Sequence, residues 1–91
     1  MQVRIKLPAN MRALADDIAE HKVQATTVGE ALNLLCEQHS DLQSRLLSEE
    51  GKLQPFVNVF LDGTNVRELE AELTELKKES EILIVAALAG G

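Results

Sequence analysis

Aromatic residues are nearly absent from this 91-residue chain: it has no Trp, no Tyr and only two Phe. Stacking on unpaired bases and aromatic cages for cationic ligands are therefore not expected. A single cysteine, Cys36, excludes an internal disulfide, and nothing points to an oxidising compartment. Cations are scarce as well. Nine Lys and Arg against fifteen Asp and Glu leave a net charge of −6. Nucleic-acid binders carry basic patches that neutralise phosphates, so no nucleic-acid partner is expected, and a partner with a basic surface fits better. No apolar run approaches a membrane span, so no membrane partner is expected. The first seven residues alternate and carry Arg4 and Lys6, unlike a secretory segment. The expectation is a soluble cytoplasmic protein.

What is present is enough for one domain. Apolar residues make up 45% of the chain, which supports one modest core without staples. Met1 to Leu7 alternates apolar and polar, the pattern of a half-buried strand that Pro8 ends. Ala9 to Glu20 reads as a connection with a helical turn around Leu14 and Ile18. His21 to Ala25 reads as a second strand centred on Val23. Thr27 and Glu30 have the spacing of a capping box, and Val28, Ala31, Leu32, Leu35 and Cys36 form one helical face running to about His39.

Asp41 to Leu47 reads as a short helix with Leu42 and Leu46 inward. Pro55 to Leu61 reads as a strand, Asp62-Gly63 as a hairpin turn, and Thr64 to Arg67 as the answering strand. Glu68 to Lys78 is built of good helix formers, with Leu69, Leu73 and Leu76 at helical spacing. Lys78 to Glu81 then turns the chain into a last strand, Ile82 to Ala87. This strand is the purest apolar run, so it belongs in the centre of the sheet beside the first.

The chain closes on Leu88-Ala89-Gly90-Gly91. Two glycines after a core strand are expected to make a thin, flexible arm that enters a channel too narrow for side chains. From the dipeptide alone, a frayed end is the plainer reading.

The order β-β-α-(α)-β-β-(α)-β with a last strand running into Gly-Gly resembles the ubiquitin-like β-grasp sulfur carriers. The residues that carry the likeness are Gly51-Lys52-Leu53, Phe56-Val57-Asn58-Val59-Phe60, Val66-Arg67 and Ala86-Ala87-Leu88-Ala89-Gly90-Gly91. The chain is most similar to the carrier of a cysteine synthase, beside the small subunit of molybdopterin synthase and the thiamine-pathway carrier. It departs in having Lys78-Glu79-Ser80-Glu81 where many relatives have an Asp-Gly-Asp-type turn, and in lacking a proline before the tail.

The resemblance implies an α+β β-grasp fold: a mixed sheet of four to five strands with one main helix across one face. Residues 1–87 would be the domain and 88–91 the reactive tail. It further implies that the Gly91 carboxylate, presented through Gly90, is adenylated by an E1-like adenylyltransferase and converted to a thiocarboxylate. That sulfur would pass to a synthase of the cysteine synthase or molybdopterin synthase large-subunit type. ATP and Mg²⁺ belong to the activating partner, so no bound cofactor and no catalytic residue are expected. The same activation serves a ubiquitin-like modifier joined to lysines through Gly91, and the sequence leaves both open.

Strand alternation also predicts a docking surface. With Val57, Val59 and Leu61 inward, Phe56, Asn58 and Phe60 point outward; with Ile82, Ile84 and Ala86 inward, so do Leu83, Val85 and Ala87. Phe60, Leu83 and Val85, flanked by Arg4 and Lys6, would form an apolar patch on the open sheet face, where partners dock. Phe56, Leu88 and Ala89 complete the candidate contact set. Cover by residues 68–78 or self-association would account for the same pattern. The chain is expected to be a monomer that enters heteromeric complexes.

The remaining polar residues read as ordinary. Cys36 lies on an apolar stripe, where a thiol stays protonated. His21 reads as a strand surface residue, and His39 as a base near a helix C-terminus. Neither has metal-ligand company at a recognisable spacing, and no metal site is expected. Glu68, Glu70, Glu72 and Glu75 form a run that is either solvated or steers a basic partner. Asp16-Asp17 has no helical partner for acid/base work.

Overall fold

The computed structural model describes residues 1–86. The alternating segments pair into one mixed sheet of β1 (Gln2–Lys6), β2 (Glu20–Gln24), β3 (Val57–Leu61), β4 (Thr64–Asn65) and β5 (Glu81–Ala86), in the order β2-β1-β5-β3-β4. β5 lies in the centre, parallel to β1 and antiparallel to β3. Its Ile82 and Ile84 are fully buried. The main helix, α2 (Val28–Gln38), follows two shorter elements, α1 (Ala9–Arg12) and then β2, and α3 (Gln43–Leu46) comes after it. Val28, Ala31, Leu32, Leu35 and Cys36 of α2 share one core with Val3, Ile5, Val57, Val59, Ile82 and Ile84 of the sheet. Each fully buried Leu or Ile contributes about 1.5–3 kcal/mol, so this single helix-on-sheet layer is the main source of stability. The result is the β-grasp arrangement.

Local signals hold where the structure they specify is local. Asp62 and Gly63 both have positive φ (48° and 92°), a type I′ turn. The Asp62 carboxylate also accepts from the Glu81 backbone N–H at 2.9 Å, so the turn is tied to β5. At the start of α2, Thr27 Oγ1 accepts from Glu30 N–H at 3.2 Å. The reciprocal bond is shifted by one residue: the Glu30 carboxylate takes the Thr26 N–H at 2.7 Å and faces the Thr26 hydroxyl at 3.2 Å. One bond quenches a free donor of the helix's first turn, the other a donor just ahead of the helix. Leu42 and Leu46 are buried as the helical spacing of the 41–47 segment requires.

Several expectations are corrected. β3 begins at Val57, because Pro55 lacks an N–H and the chain turns there, with Val57 N–H donating to Gln54 O at 3.0 Å. Leu61 does pack against the core, but is only half-buried there. β4 is two residues long and passes into a 3-10 turn over Val66–Glu68. In the 9–20 connection Met11 and Ala15 face the core, Leu14 is half-buried and Ile18 is exposed.

The largest correction falls on residues 68–78, which form no α-helix. A 3-10 turn spans Ala71–Leu73, Ala71 has φ 50°, and Leu69 and Leu73 are exposed while Leu76 is buried. The backbone groups that a helix would pair internally are spent on α2: Thr74 O accepts from Val28 N–H, and Leu76 N–H donates to Thr26 O. Tertiary pairing overrides the local propensity here. This strap runs over the start of α2, where Gly29 lets it approach. A Cβ built at Gly29 would sit 3.0 Å from the Glu72 carbonyl oxygen.

Glu72 cannot easily retreat, since its carboxylate holds the Leu53 N–H at 2.8 Å. We expect Gly29→Ala to lower stability despite adding a better helix former. Overpacking costs about 1–3 kcal/mol and the propensity gain returns only about 1 kcal/mol. Chemical denaturation measures the difference, and a stabilised variant would show that the strap yields.

Candidate functional site

The register of β1, β5 and β3 sets the open face of the sheet. Lys6, Leu83 and Phe60 are successive cross-strand partners, so they form one row across three strands. Val85 and Asn58 are paired in the next row toward the end of β5. Leu83 is 40% and Val85 43% exposed, while their neighbours Ile82 and Ile84 are fully buried. The alternation thus leaves an apolar patch, with Leu83 and Val85 in solvent and Phe60 half-buried beside them. Residues 68–78 do not account for it, since they pack at the α2 N-terminus. Phe56 is exposed too, but it lies in the turn before β3 and has no cross-strand partner among the described residues. Leu88, Ala89, Gly90 and Gly91, like Ala87, lie outside the described residues.

Charge borders the patch on the β1 side. Glu81 stands between Arg4 (3.6 Å) and Lys6 (3.3 Å), all three partly exposed. Pairs this exposed contribute at most about 1 kcal/mol, so they order the side chains more than they stabilise the fold.

The far border is a mechanical one. The Arg67 guanidinium donates to Gln54 O at 2.8 Å and Val57 O at 2.7 Å, and Asn65 Nδ2 donates to Asn58 Oδ1 at 3.3 Å. Val57 is the cross-strand partner of Ala86, the last described residue of β5. Arg67 therefore fixes the strand that holds the end of β5. Arg67→Ala is expected to cost about 1–2 kcal/mol, from two charge-assisted bonds discounted for exposure. Hydrogen exchange should quicken first at the amides of residues 57 and 86; uniform quickening would mean that the clamp is not local.

His39 sits at the C-terminus of α2, as its position in the sequence implies, but His21 is not the surface residue that was expected. His21 alternates with Val23 and faces α2, so it is buried, with Nε2 3.0 Å from Ile18 O. His39 caps α2, and the two rings meet edge to face at 5.1 Å. His39 Nδ1 is 3.9 Å from the Asp16 carboxylate, and Asp16 and Asp17 both have left-handed φ, ending the turn that follows α1. Period-two alternation was the signal that could have found His21; nothing local signals its contact with His39. Among the described residues no group of three or more His, Cys, Asp or Glu could hold a metal ion. Burial pushes the Cys36 thiol up to about 11, so it is protonated at neutral pH and is no nucleophile. Of the acidic run, Glu72 is engaged with Leu53, while Glu68, Glu70 and Glu75 are exposed. No helix among the described residues is long and apolar enough to cross a membrane.

Known proteins share both the sequence and this architecture. The model of the ThiS family matches residues 5–91, a span that includes Gly90 and Gly91. A protein of Archaeoglobus fulgidus, named provisionally as a sulfur carrier, is 32% identical over 91 residues, the whole of both chains. A chain of the Amycolatopsis orientalis BexX/CysO complex superposes with a TM-score of 0.88 at 28% identity, covering 98% of this chain and 99% of that one. Small archaeal modifier protein 1 of Methanosarcina acetivorans superposes with a TM-score of 0.87 at 28% identity, covering 99% and 96%.

Proposed function

This chain belongs to the ThiS family, and on that premise we propose that it is a sulfur carrier whose Gly91 carboxylate is the reactive group. A carboxylate is a poor electrophile because its leaving group is oxide. Adenylation by an E1-like enzyme, with ATP and Mg²⁺ held by that enzyme, gives a mixed anhydride and releases pyrophosphate. Sulfide then attacks the carbonyl, the bond to AMP breaks and AMP leaves with the electron pair, and the carboxyl end becomes a thiocarboxylate. This species is ionised at neutral pH and nucleophilic, and it passes its sulfur to a synthase of the cysteine synthase or molybdopterin synthase type. In this scheme the chain is a substrate of catalysis, not a catalyst.

The observation that carries the proposal is the family match running through Gly90 and Gly91. The placement of Phe60, Leu83 and Val85 supports it, since the patch stands beside the end of β5 and is the natural footing for the enzyme that receives the tail. The likeness to a small archaeal modifier favours a second reading, in which the same adenylate is attacked by a lysine amine of a target protein.

Intact mass of the untagged protein decides between them, measured from cells and after incubation with ATP, sulfide and a cognate activating enzyme. Sulfur in place of oxygen is the expected gain. A gain equal to another protein, stable to denaturation and reduction, would make it a modifier. An unchanged mass with several cognate enzymes would refute both.

A further inference from the structure

Three cations from distant stretches converge at the far end of the open face. Arg4 of β1, Lys22 of β2 and Lys78 of the turn before β5 line an open cleft of about 690 Å³ with Met1, Gln2 and Glu79. Arg4 and Lys22 are cross-strand partners and alternate with buried Ile5 and His21, so they share the face of Leu83 and Phe60. Arg4 leans to Glu81, but Lys22 and Lys78 have no ion-pair partner among the described residues. Like charges on facing strand positions repel. The fold thus holds a cationic cleft, with Glu79 its one carboxylate, on a chain whose net charge is −6.

We propose that this cleft receives an acidic segment, a run of Asp or Glu side chains, of the protein that activates the tail. The identity of that protein rests on the carrier reading; the cleft's preference for carboxylates does not. The cleft is far larger than a single phosphate and offers spread side-chain cations, which suits an extended carboxylate-bearing segment. Its position also suits one partner covering the whole face. The Arg4–Glu81 row lies five residues before Ala86 along β5, roughly 17 Å at ~3.3 Å per residue, with Leu83 and Val85 between. A partner that takes the tail beyond Ala86 and covers the apolar row would reach the cleft at its other end. Charge at such a rim sets encounter rate and register, and salt weakens it.

Steady-state adenylation with Lys22→Glu/Lys78→Glu tests the site. Both residues are exposed, so folding is not at issue. KM for the carrier should rise about tenfold or more with kcat unchanged, and the wild-type KM should climb more steeply with salt than the variant's. Lys22→Arg/Lys78→Arg should behave as wild type. An unchanged KM, or an equal loss with the arginine pair, overturns the proposal.

A second measurement needs no enzyme. Titrating ¹⁵N-labelled protein with a hexaglutamate peptide should give saturable amide shifts at Gln2, Arg4, Lys22 and Lys78, absent in the glutamate variant. No saturation, or the same shifts with inorganic phosphate at equal charge, overturns the preference for an acidic segment. Saturation by a wild-type protein that no activating enzyme adenylates would leave the cleft standing and remove the carrier reading.

Discussion

Deleting Gly91 is expected to abolish the gain of sulfur, and Gly90→Ala to slow adenylation by about 100-fold. The reason is geometric. In the proposed chemistry the carboxylate reaches the α-phosphate of an ATP held inside another protein, which asks for thin and extended last residues. A side chain at position 90 widens the arm, and a misplacement of about 1 Å at a reacting centre costs on the order of 10²-fold in rate. The deletion ends the chain at Gly90, so its carboxylate falls short of the site by one residue, up to about 3.5 Å of reach. ATP–pyrophosphate exchange reads the first step, and intact mass reads the second. Adenylation of the deletion variant at the wild-type rate would sink the proposed chemistry. Neither change touches β5, so the melting temperature should not move.

Leu83→Asp should raise KM for the carrier by about 30-fold while leaving kcat in place. Leu83 stands between half-buried Lys6 and Phe60 in the open-face row and is 40% exposed in the free protein. An apolar anchor at the middle of an interface is worth roughly 2 kcal/mol or more, and a carboxylate there must also be desolvated by the partner. Loss of binding energy that is equal in ground and transition states appears in KM alone. Ile84→Asp, one residue further, makes the control. Ile84 is fully buried, so the same carboxylate in the core should prevent folding. If Leu83→Asp leaves KM unchanged while remaining folded, the patch is not the docking surface.

The elements legible in the sequence are those specified by their own residues and near neighbours. Val3, Ile5 and Leu7 alternate in β1, Ile82 and Ile84 alternate in β5, and the stripe from Val28 to Cys36 lies on α2; each pattern repeats at the period of its own backbone. Asp62-Gly63 specifies its turn because only residues tolerant of positive φ suit it. The patch followed from the same alternation, since the β5 side chains on one face are buried and those on the other are not. The turn before β5 reaches a left-handed conformation without a glycine: Glu79 adopts φ 61°.

In residues 68–78 a correct local signal is beaten by distant partners. Leu69, Leu73 and Leu76 have helical spacing, yet Thr74 and Leu76 bond to the backbone beside Thr27, roughly fifty positions earlier in the chain, and each doubling of such a loop adds only about 0.6 kcal/mol of closure cost. The helix was lost because its carbonyl and amide groups found those partners, and Gly29 left the space for them.

The sequence by itself determined the β-grasp order, the core, the family and the Gly90-Gly91 end, because these depend on periodicity and on motifs contiguous in the chain. Tertiary structure alone decided that His21 meets His39, that Glu81 serves both Arg4 and Lys6, and that Lys22 and Lys78 join Arg4 at one cleft. Side chains many positions apart become neighbours only when strand register brings them together, and register is a property of the assembled sheet.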